Sequence, residues 1–444
     1  MSEREVDRRR HELKAKKARE LKPDKLTLEP RRIYVKDFGP IREADIELGK
    51  LTILMGPNNT GKTFTAALIP ALEGLIISLT IIASVPIFKS DEKEYERFLK
   101  NRFNEIVINI YSVDDPRQLI RRGSDNTVLS YWLSPIEVLK GDHQLKIEFD
   151  RTGGMTFDLD GLRELINNKI APLLSPVVFI PAERAGIMRT YKQLLRLHLE
   201  TSWSFVPPSL RQKVVELLGS KVRLPGLVRM LLDEILSIER FTLEERQRSD
   251  VGGALEVLEE EVLRGRLEMG EDLSVKYHEA AAENPIDLIN ASSMVSEVSA
   301  IYLLSGMLRR GGWLIIEEPE AHVHPRGQMG LARFMARLVR LGVNVVATTH
   351  SDLIALKLAQ MVGLAKLSPE QRRSLGYRED EYLQKDELAL YFFEPTESGS
   401  VTRKVEVSET GEVEDLPTYS RVTEEMYGEA VKLLELHGKI PKLP

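Results

Sequence analysis

At 444 residues the chain can bury one large core or two modest ones, and 42% hydrophobic with 29% charged residues is ordinary for a soluble protein. The absence of cysteine excludes a disulfide framework and thiolate metal sites, and suits a reducing compartment. The net charge of −6 hides an asymmetry, because residues 1–32 hold 12 Lys/Arg against 7 Asp/Glu and the remainder carries −11. Asn and Gln are sparse, which hints at a heat-adapted source.

Residues 1–25 are polar and of mixed charge, apolar after Met1 only at Val6, Leu13, Ala15, Ala18 and Leu21. They read as an exposed tail or as a nucleic-acid arm bearing Arg8, Arg9, Arg10, Lys14, Lys16 and Lys17, and not as a secretory leader. Residues 32–37 and 44–48 alternate like strands about a turn at Phe38-Gly39-Pro40 and lead into an apolar strand at 51–55.

The stretch that follows, Gly56-Pro57-Asn58-Asn59-Thr60-Gly61-Lys62-Thr63, fits G-x-x-x-x-G-K-[ST]. Its glycines let the backbone turn so that N–H groups surround a polyphosphate, with Lys62 on the β- and γ-phosphates and the Thr63 hydroxyl on Mg²⁺. A helix starting there adds its positive end. A nucleoside triphosphate is the expected ligand. Residues 66–88 are largely apolar, but Pro70, Glu73 and Pro86 interrupt them and the uncharged run 75–85 is too short to span a bilayer. A buried helix is expected instead.

Strand-like runs at 106–111, 127–133, 145–149 and 155–159 predict a β-rich arm, and 177–180 a short buried strand running into Pro181-Ala182-Glu183-Arg184. Residues 188–266 turn helical in spacing, with breaks at Pro207-Pro208, Pro225 and Gly252-Gly253 and no sustained heptad. They hold a second basic group, Arg211, Lys213, Lys221 and Arg223. Strand-like pieces at 267–268, 273–278 and 286–289 precede an apolar helix at 297–309. Then come a buried strand at 313–316, an amphipathic helix at 331–341, a buried strand at 343–348 and a helix after Asp352. The tail predicts a strand at 388–393, a hairpin at 401–413 and a last helix at 423–436. This alternation argues for an α/β fold with parallel strands.

Four groups cluster around the nucleotide in this reading. Glu317-Glu318 ends an apolar strand, and carboxylates leaving a strand beside a phosphate loop suit metal binding and water activation. Adjacent residues point different ways, so Glu317 is assigned to Mg²⁺ and Glu318 to the attacking water as general base. Ser292 and Ser293 open a helix, where they either cap it or donate to a phosphate. His350, at the end of the next strand, is a γ-phosphate sensor or a core histidine. His322-Val323-His324 could ligate a metal, although no further ligand lies near it in sequence.

Together these residues resemble the ABC-type ATPase fold, and within it the soluble branch of RecF, the SMC heads and the OLD (overcoming-lysogenisation-defect) ATPases. Phe38-Gly39-Pro40-Ile41 resembles this branch's approach to the phosphate loop. Glu317-Glu318-Pro319-Glu320-Ala321-His322-Val323-His324-Pro325 looks like its extended Walker B motif and D-loop. Ser292 precedes Glu317 by 25 residues and His350 follows it by 33, intervals that suit a signature helix, a Walker B strand and a switch-histidine strand. The likeness covers residues 30–70 and 285–355 well and the middle in outline.

The resemblance implies an α/β ATPase head with flanking helices, a β-rich arm and a helical insertion. Its expected parts are a charged arm (1–30), a first lobe with the phosphate loop (31–187), the insertion (188–266), and the remaining core with its C-terminal strands and helix (267–444). It further implies ATP and Mg²⁺ as ligands, and a homodimer closed by ATP in which Ser292 and Ser293 of one chain face the nucleotide on the other. His350 becomes the switch histidine, Phe38 a nucleotide contact, and Pro181-Ala182-Glu183-Arg184 a Q-loop that lacks its glutamine.

Three departures stand out: Glu317 where Asp is usual, Ser293 and Met294 where two glycines are usual, and no cluster like the Toprim nuclease site in the 94 residues after His350. The implied work is cytoplasmic and on DNA (repair, chromosome handling or defence against foreign DNA), with duplex DNA and a protein such as a nuclease as partners and no membrane. A regulatory scaffold switched by ATP is the alternative, and a transporter ATPase is disfavoured by the long interval between phosphate loop and signature.

Overall fold

The computed structural model describes residues 27–28, 30–83, 92–133, 143–159, 173–174, 176–192, 225–238, 251–270, 274–413 and 417–437. The N-terminal arm with the basic residues named above, and the second basic group at 211–223, lie outside these. Among the described residues, one sheet of eleven strands organises the chain. In chain order they are β1 (Pro30–Phe38), β2 (Ile41–Glu47), β3 (Leu51–Met55), β4 (Asn126–Leu133), β5 (His143–Asp150), β6 (Met155–Asp158), β7 (Val177–Ile180), β8 (Trp313–Glu317), β9 (Asn344–Thr349), β10 (Leu388–Thr396) and β11 (Gly399–Val405).

Their order across the sheet is β6-β5-β4-β1-β2-β11-β10-β3-β9-β8-β7. From β10 to β7 every neighbour is parallel. The other half is antiparallel apart from the β11–β2 pair. The expected segments 31–187 and 267–444 both supply strands to this one sheet.

The parallel half is buried on both faces, which is why its strands read as unbroken apolar runs. Alternation still assigns each residue to a side. Ile53, Ile316, Val345 and Phe392 belong to one core with α3 (Gly226–Ile238), α4 (Gly252–Val257), α5 (Ser293–Ser305), α6 (Pro325–Arg340) and α7 (Asp352–Gly363). Leu54, Ile315, Val346 and Phe393 belong to the other, beneath α1 (Lys62–Ala83) and α2 (Glu92–Tyr111). The window Lys62–Leu79 of α1 is long and apolar enough to cross a membrane, and 67% of it is buried against the sheet. In the antiparallel half β5 buries alternate residues, Leu145, Ile147 and Phe149, as a strand with one wet face should.

Two expectations fail here. Residues 106–111 are not a strand but the last turns of α2, whose buried Leu99, Phe103 and Val107 recur every four residues. The β-branched run Ile106-Val107-Ile108 resembles a strand when taken alone, but it continues that helical spacing. The hairpin is β10 with β11, turning between Thr396 and Gly399; 401–405 is its second arm, and beyond Val405 there is an isolated bridge from Val407 to Val413. The predicted strand at 388–393 is the first arm of that hairpin. Part of the expected insertion is core as well: Val251, Ala254, Val257 and Leu258 are buried in the cluster that includes α6.

Glu73 sits inside α1 facing the antiparallel strands, where Tyr131 Oη donates to its Oε1 at 3.4 Å. Burial pushes its carboxyl up to about 8, and the tyrosine offsets little of that. The folded protein therefore keeps Glu73 protonated where the unfolded chain has already ionised it. Stability is lost as pH rises from the ordinary carboxylate range, and the loss levels off above about 8, at up to about 5 kcal/mol. Glu73→Gln should thus raise the Tm at pH 8 and leave it nearly unchanged near pH 4. Equal shifts at both pH values in thermal unfolding would exclude a buried neutral carboxyl.

Candidate nucleotide-binding site

Strand register brings the chemistry together. In the ladders Met55 pairs with Thr349, Thr348 pairs with Glu317, and Ile316 pairs with Ile180. Four parallel strands therefore end side by side, and the next residues along each are Gly56, His350, Glu318 and Pro181. Open α/β sheets bind ligands at such carboxyl ends, where the chain order of strands changes direction. Here β9 lies between β3 and β8, so His350 stands between the phosphate loop and the two carboxylates.

The loop's two motif glycines are required by space and conformation. A Cβ on Gly56 (φ 135°) would meet Phe393 O at 2.6 Å, and one on Gly61 (φ 96°) would meet Ile41 Cγ1 at 2.4 Å. Hairpin β10–β11 and the start of β2 thus form the wall on which the loop rests, and Ser400 Oγ donates to Thr60 O. Asn58 and Asn59 are exposed, the latter left-handed at φ 61°. Thr60 Oγ1 donates to Pro57 O at 2.9 Å.

Lys62 Nζ turns back into the loop, donating to Gly56 O at 2.9 Å and Pro57 O at 2.7 Å. Burial lowers the ammonium to about 8, and only the charges of Glu318 and Glu320 work against that. A polyphosphate would restore it.

Glu317 is almost wholly buried. Its Oε2 accepts from Ala182 N at 3.2 Å, while Oε1 is buried without a hydrogen-bond partner. Burial pushes its carboxyl up to about 7, against the pull of the Thr63 hydroxyl and the Ala182 amide. A buried orphan carboxylate oxygen next to a threonine hydroxyl is a donor set for a hard divalent cation, so Mg²⁺ fits Thr63 and Glu317.

Glu318 differs from its neighbour. It adopts φ 43°, its amide donates to Thr348 O at 2.9 Å, and its Oε1 lies 3.5 Å from His350 Nε2. The histidine hydrogen bond, followed by the charges of His350, Lys62 and Arg184, holds this carboxyl below its ordinary value despite partial burial. Glu318 is therefore ionised and able to accept a proton at neutral pH. Glu320, which motif reasoning left without a role, accepts from His350 N at 2.6 Å and so fixes where the histidine begins.

Ser292 and Ser293 are exposed at the start of α5, and Ser292 Oγ caps it by accepting from Val295 N at 3.3 Å. With His324 and Arg326, Ser292 lines a cleft of about 630 Å³ to which the phosphate loop contributes no residue. Phe38 is misplaced as a nucleotide contact: its ring is fully buried, edge-on to Phe64 and Tyr111, with no face open to a base. The histidine pair makes no metal site either. His322 Nδ1 meets Glu297 at 3.1 Å, His324 Nδ1 accepts from Arg326 N, and no group of three metal ligands occurs among the described residues. Arg184, expected only as part of the Q-loop segment, and Glu297, given no role of its own by its sequence position, are both buried behind the carboxylates.

Residues 204–356 match the family model described as AAA domain, putative AbiEii toxin, Type IV TA system. That span holds Ser292, Glu317, Glu318 and His350. No curated protein matches the chain. Among solved structures, the SMC head domain from Thermotoga maritima is 10% identical, with 85% of this chain and 100% of that one covered and a TM-score of 0.43. An Smc head domain from Pyrococcus furiosus, bound to the C-terminal domain of ScpA, is 11% identical (90% and 100% covered, TM-score 0.43). One from Pyrococcus yayanosii is 9% identical (86% and 98% covered, TM-score 0.44). The family match is to an AAA domain and takes in the strands that carry Glu317, Glu318 and His350; with the phosphate loop beside them, it supports the expected P-loop ATPase.

Proposed function

We propose that the chain binds Mg·ATP and hydrolyses it, and that hydrolysis is completed by a second copy. The observation that carries this reading is the register that sets Lys62, Glu317, Glu318 and His350 at the ends of adjacent strands. The backbone N–H groups of residues 56–63, Pro57 excepted, and the Lys62 ammonium hold the phosphates, and Thr63 with Glu317 would hold Mg²⁺, which would neutralise charge on them. Glu318 accepts the proton of the attacking water, and His350 orients Glu318 and meets the terminal phosphate. Phe38, its ring fully buried, takes no part in holding the adenine.

Ser292 and Ser293 cap the opposing nucleotide when two copies close face to face. The protein is cytoplasmic, and its work is on DNA, in repair, chromosome handling or defence, alone or with a nuclease. This last step rests on family analogy.

A second reading, an ATP-switched scaffold with little turnover, has specific support. The contacts that keep Glu318 ionised also make it a weaker base. The signature also offers Ser293 and Met294 where glycines would allow closer approach. Stimulation of ATP hydrolysis by duplex DNA favours the first reading, and a stable ATP-bound dimer without turnover favours the second.

Closure is tested by Ser292→Arg. The wild type should double in mass by light scattering with Mg·ATP, and the variant should stay monomeric while binding ATP normally. Ser292 also caps its helix, a contact worth about 1 kcal/mol, so Ser292→Ala serves as the control for that loss. A wild-type mass indifferent to nucleotide would sink the two-copy site.

A further inference from the structure

Arg184 is the bulkiest fully buried side chain among the described residues, and no step above uses it. Its Nη1 donates to Pro181 O at 3.1 Å and Glu317 O at 2.6 Å, and its Nη2 to Glu318 O at 2.9 Å. Nε donates to Glu297 O at 3.2 Å and forms an ion pair with Glu297 Oε2 at 3.1 Å. The guanidinium therefore grips the backbone of both site carboxylates and ties it to α5. Burying such a pair costs several kcal/mol per ion, so it is a poor source of stability and better suited to fixing one geometry.

The contact chain does not stop at Glu297. That carboxylate is itself buried, and its Oε1 meets His322 Nδ1 at 3.1 Å, whose side chain is 64% exposed. His322 sits in the turn that leaves Glu318, where Ala321 N donates to Glu318 O at 3.0 Å. Glu318 (φ 43°) and His322 (φ 57°) are both left-handed, so the turn is pinned at each end in a conformation few residues favour. Glu318 O is thus held from two directions, by Arg184 from the core and by the turn from the surface.

We propose that His322, Glu297 and Arg184 form a positioning relay for Glu318, with His322 as its exposed end and α5 as the element it couples to the carboxylates. The proposal rests on the hydrolytic reading above. Glu297 lies five residues after Ser292 on α5. A displacement of α5, or of the turn at His322, therefore reaches Glu318 through two side chains and moves the base relative to the phosphate. Arg184 and Glu297 are positioning residues, and neither touches the reacting atoms.

The test uses the full chain with His322→Gly, which removes the imidazole without straining a left-handed position, and His322→Asn, which tolerates that position and keeps a donor for Glu297. His322→Gly should lower kcat about tenfold, because small misplacements of a reacting group are costly, with KM for Mg·ATP and Tm unchanged. His322→Asn should restore most of the rate. Dimer formation with ATP should persist in His322→Gly combined with Glu318→Gln.

An unchanged kcat in His322→Gly overturns the relay. So does a fall in kcat matched by lost ATP affinity or Tm, which marks a structural role. A lost dimer marks an interface residue and overturns it equally, as does failure of Asn to rescue. The hydrolytic reading fails separately, if the wild-type chain shows no ATPase activity at all.

Discussion

Glu318→Gln should lower kcat for ATP by about 10²–10⁴-fold, the range expected for a lost general base, while ATP still binds. The substitution keeps the size of the side chain and leaves an oxygen for the His350 contact at 3.5 Å. The backbone bond from residue 318 to Thr348 O is untouched. What disappears is the ability to take a proton from water. Because ATP then persists, the closed two-copy state should accumulate and be most visible by light scattering in this variant. Single-turnover hydrolysis with labelled ATP measures the chemical step apart from dimer opening. A variant that cleaves ATP at the wild-type rate would place the base elsewhere, with Glu317 the nearest alternative and its Mg²⁺ role then in doubt.

The readable half of the fold was the half buried on both faces. β3, β8 and β9 are continuous apolar runs, and each ends in residues whose chemistry needs a strand end to be useful: the glycine loop, the paired glutamates and the histidine. Linear spacing placed them in order along the chain. It did not show that β9 inserts between β3 and β8, because strand order is decided by helix crossovers packing on the sheet and not by any local pattern. That order decides which group stands next to the phosphate loop, and it is His350.

The unread residues share a different property, since each does its work through burial or distant pairing. Arg184 is expected only as part of the Q-loop segment, and apart from Pro181 O its hydrogen-bond partners lie 113 to 134 residues away. Glu297 sits within an apolar helix without a visible partner, and Ser400 supports the phosphate loop from 340 residues downstream. A buried charge on a strand end was the one available signal, and the apolar Val177-Val178-Phe179-Ile180 leading into Glu183-Arg184 carried it. Phe38 failed for the opposite reason. Its motif placed it near the loop correctly, but packing on Phe64 and Tyr111 turned its ring into the core.

Lys62→Ala should cost at least about 100-fold in ATP affinity, as expected when one partner of a close, shielded charge pair is removed. Two effects combine in that loss. The ammonium that meets the β- and γ-phosphates is gone, and Gly56 O and Pro57 O lose the donor that now sits 2.9 and 2.7 Å from them. Unfolding by circular dichroism separates the contributions, because a loosened loop would lower Tm and a lost phosphate contact would not.

The pH dependence of affinity isolates the charge. Burial lowers Lys62 to about 8, so the phosphate-binding ammonium is fully present below that value and is lost as pH rises through it. Bound phosphate raises the pKa, so binding takes up a proton on the alkaline side. Wild-type affinity should therefore decline above pH 8, whereas Lys62→Ala should show no decline there beyond that of the nucleotide itself. Titration with a fluorescent ATP analogue between pH 6.5 and pH 9.5 (a range of about 1.5 units either side of the expected midpoint) resolves the two curves. Parallel curves for the two proteins would mean that Lys62 does not carry the charge that holds the phosphates.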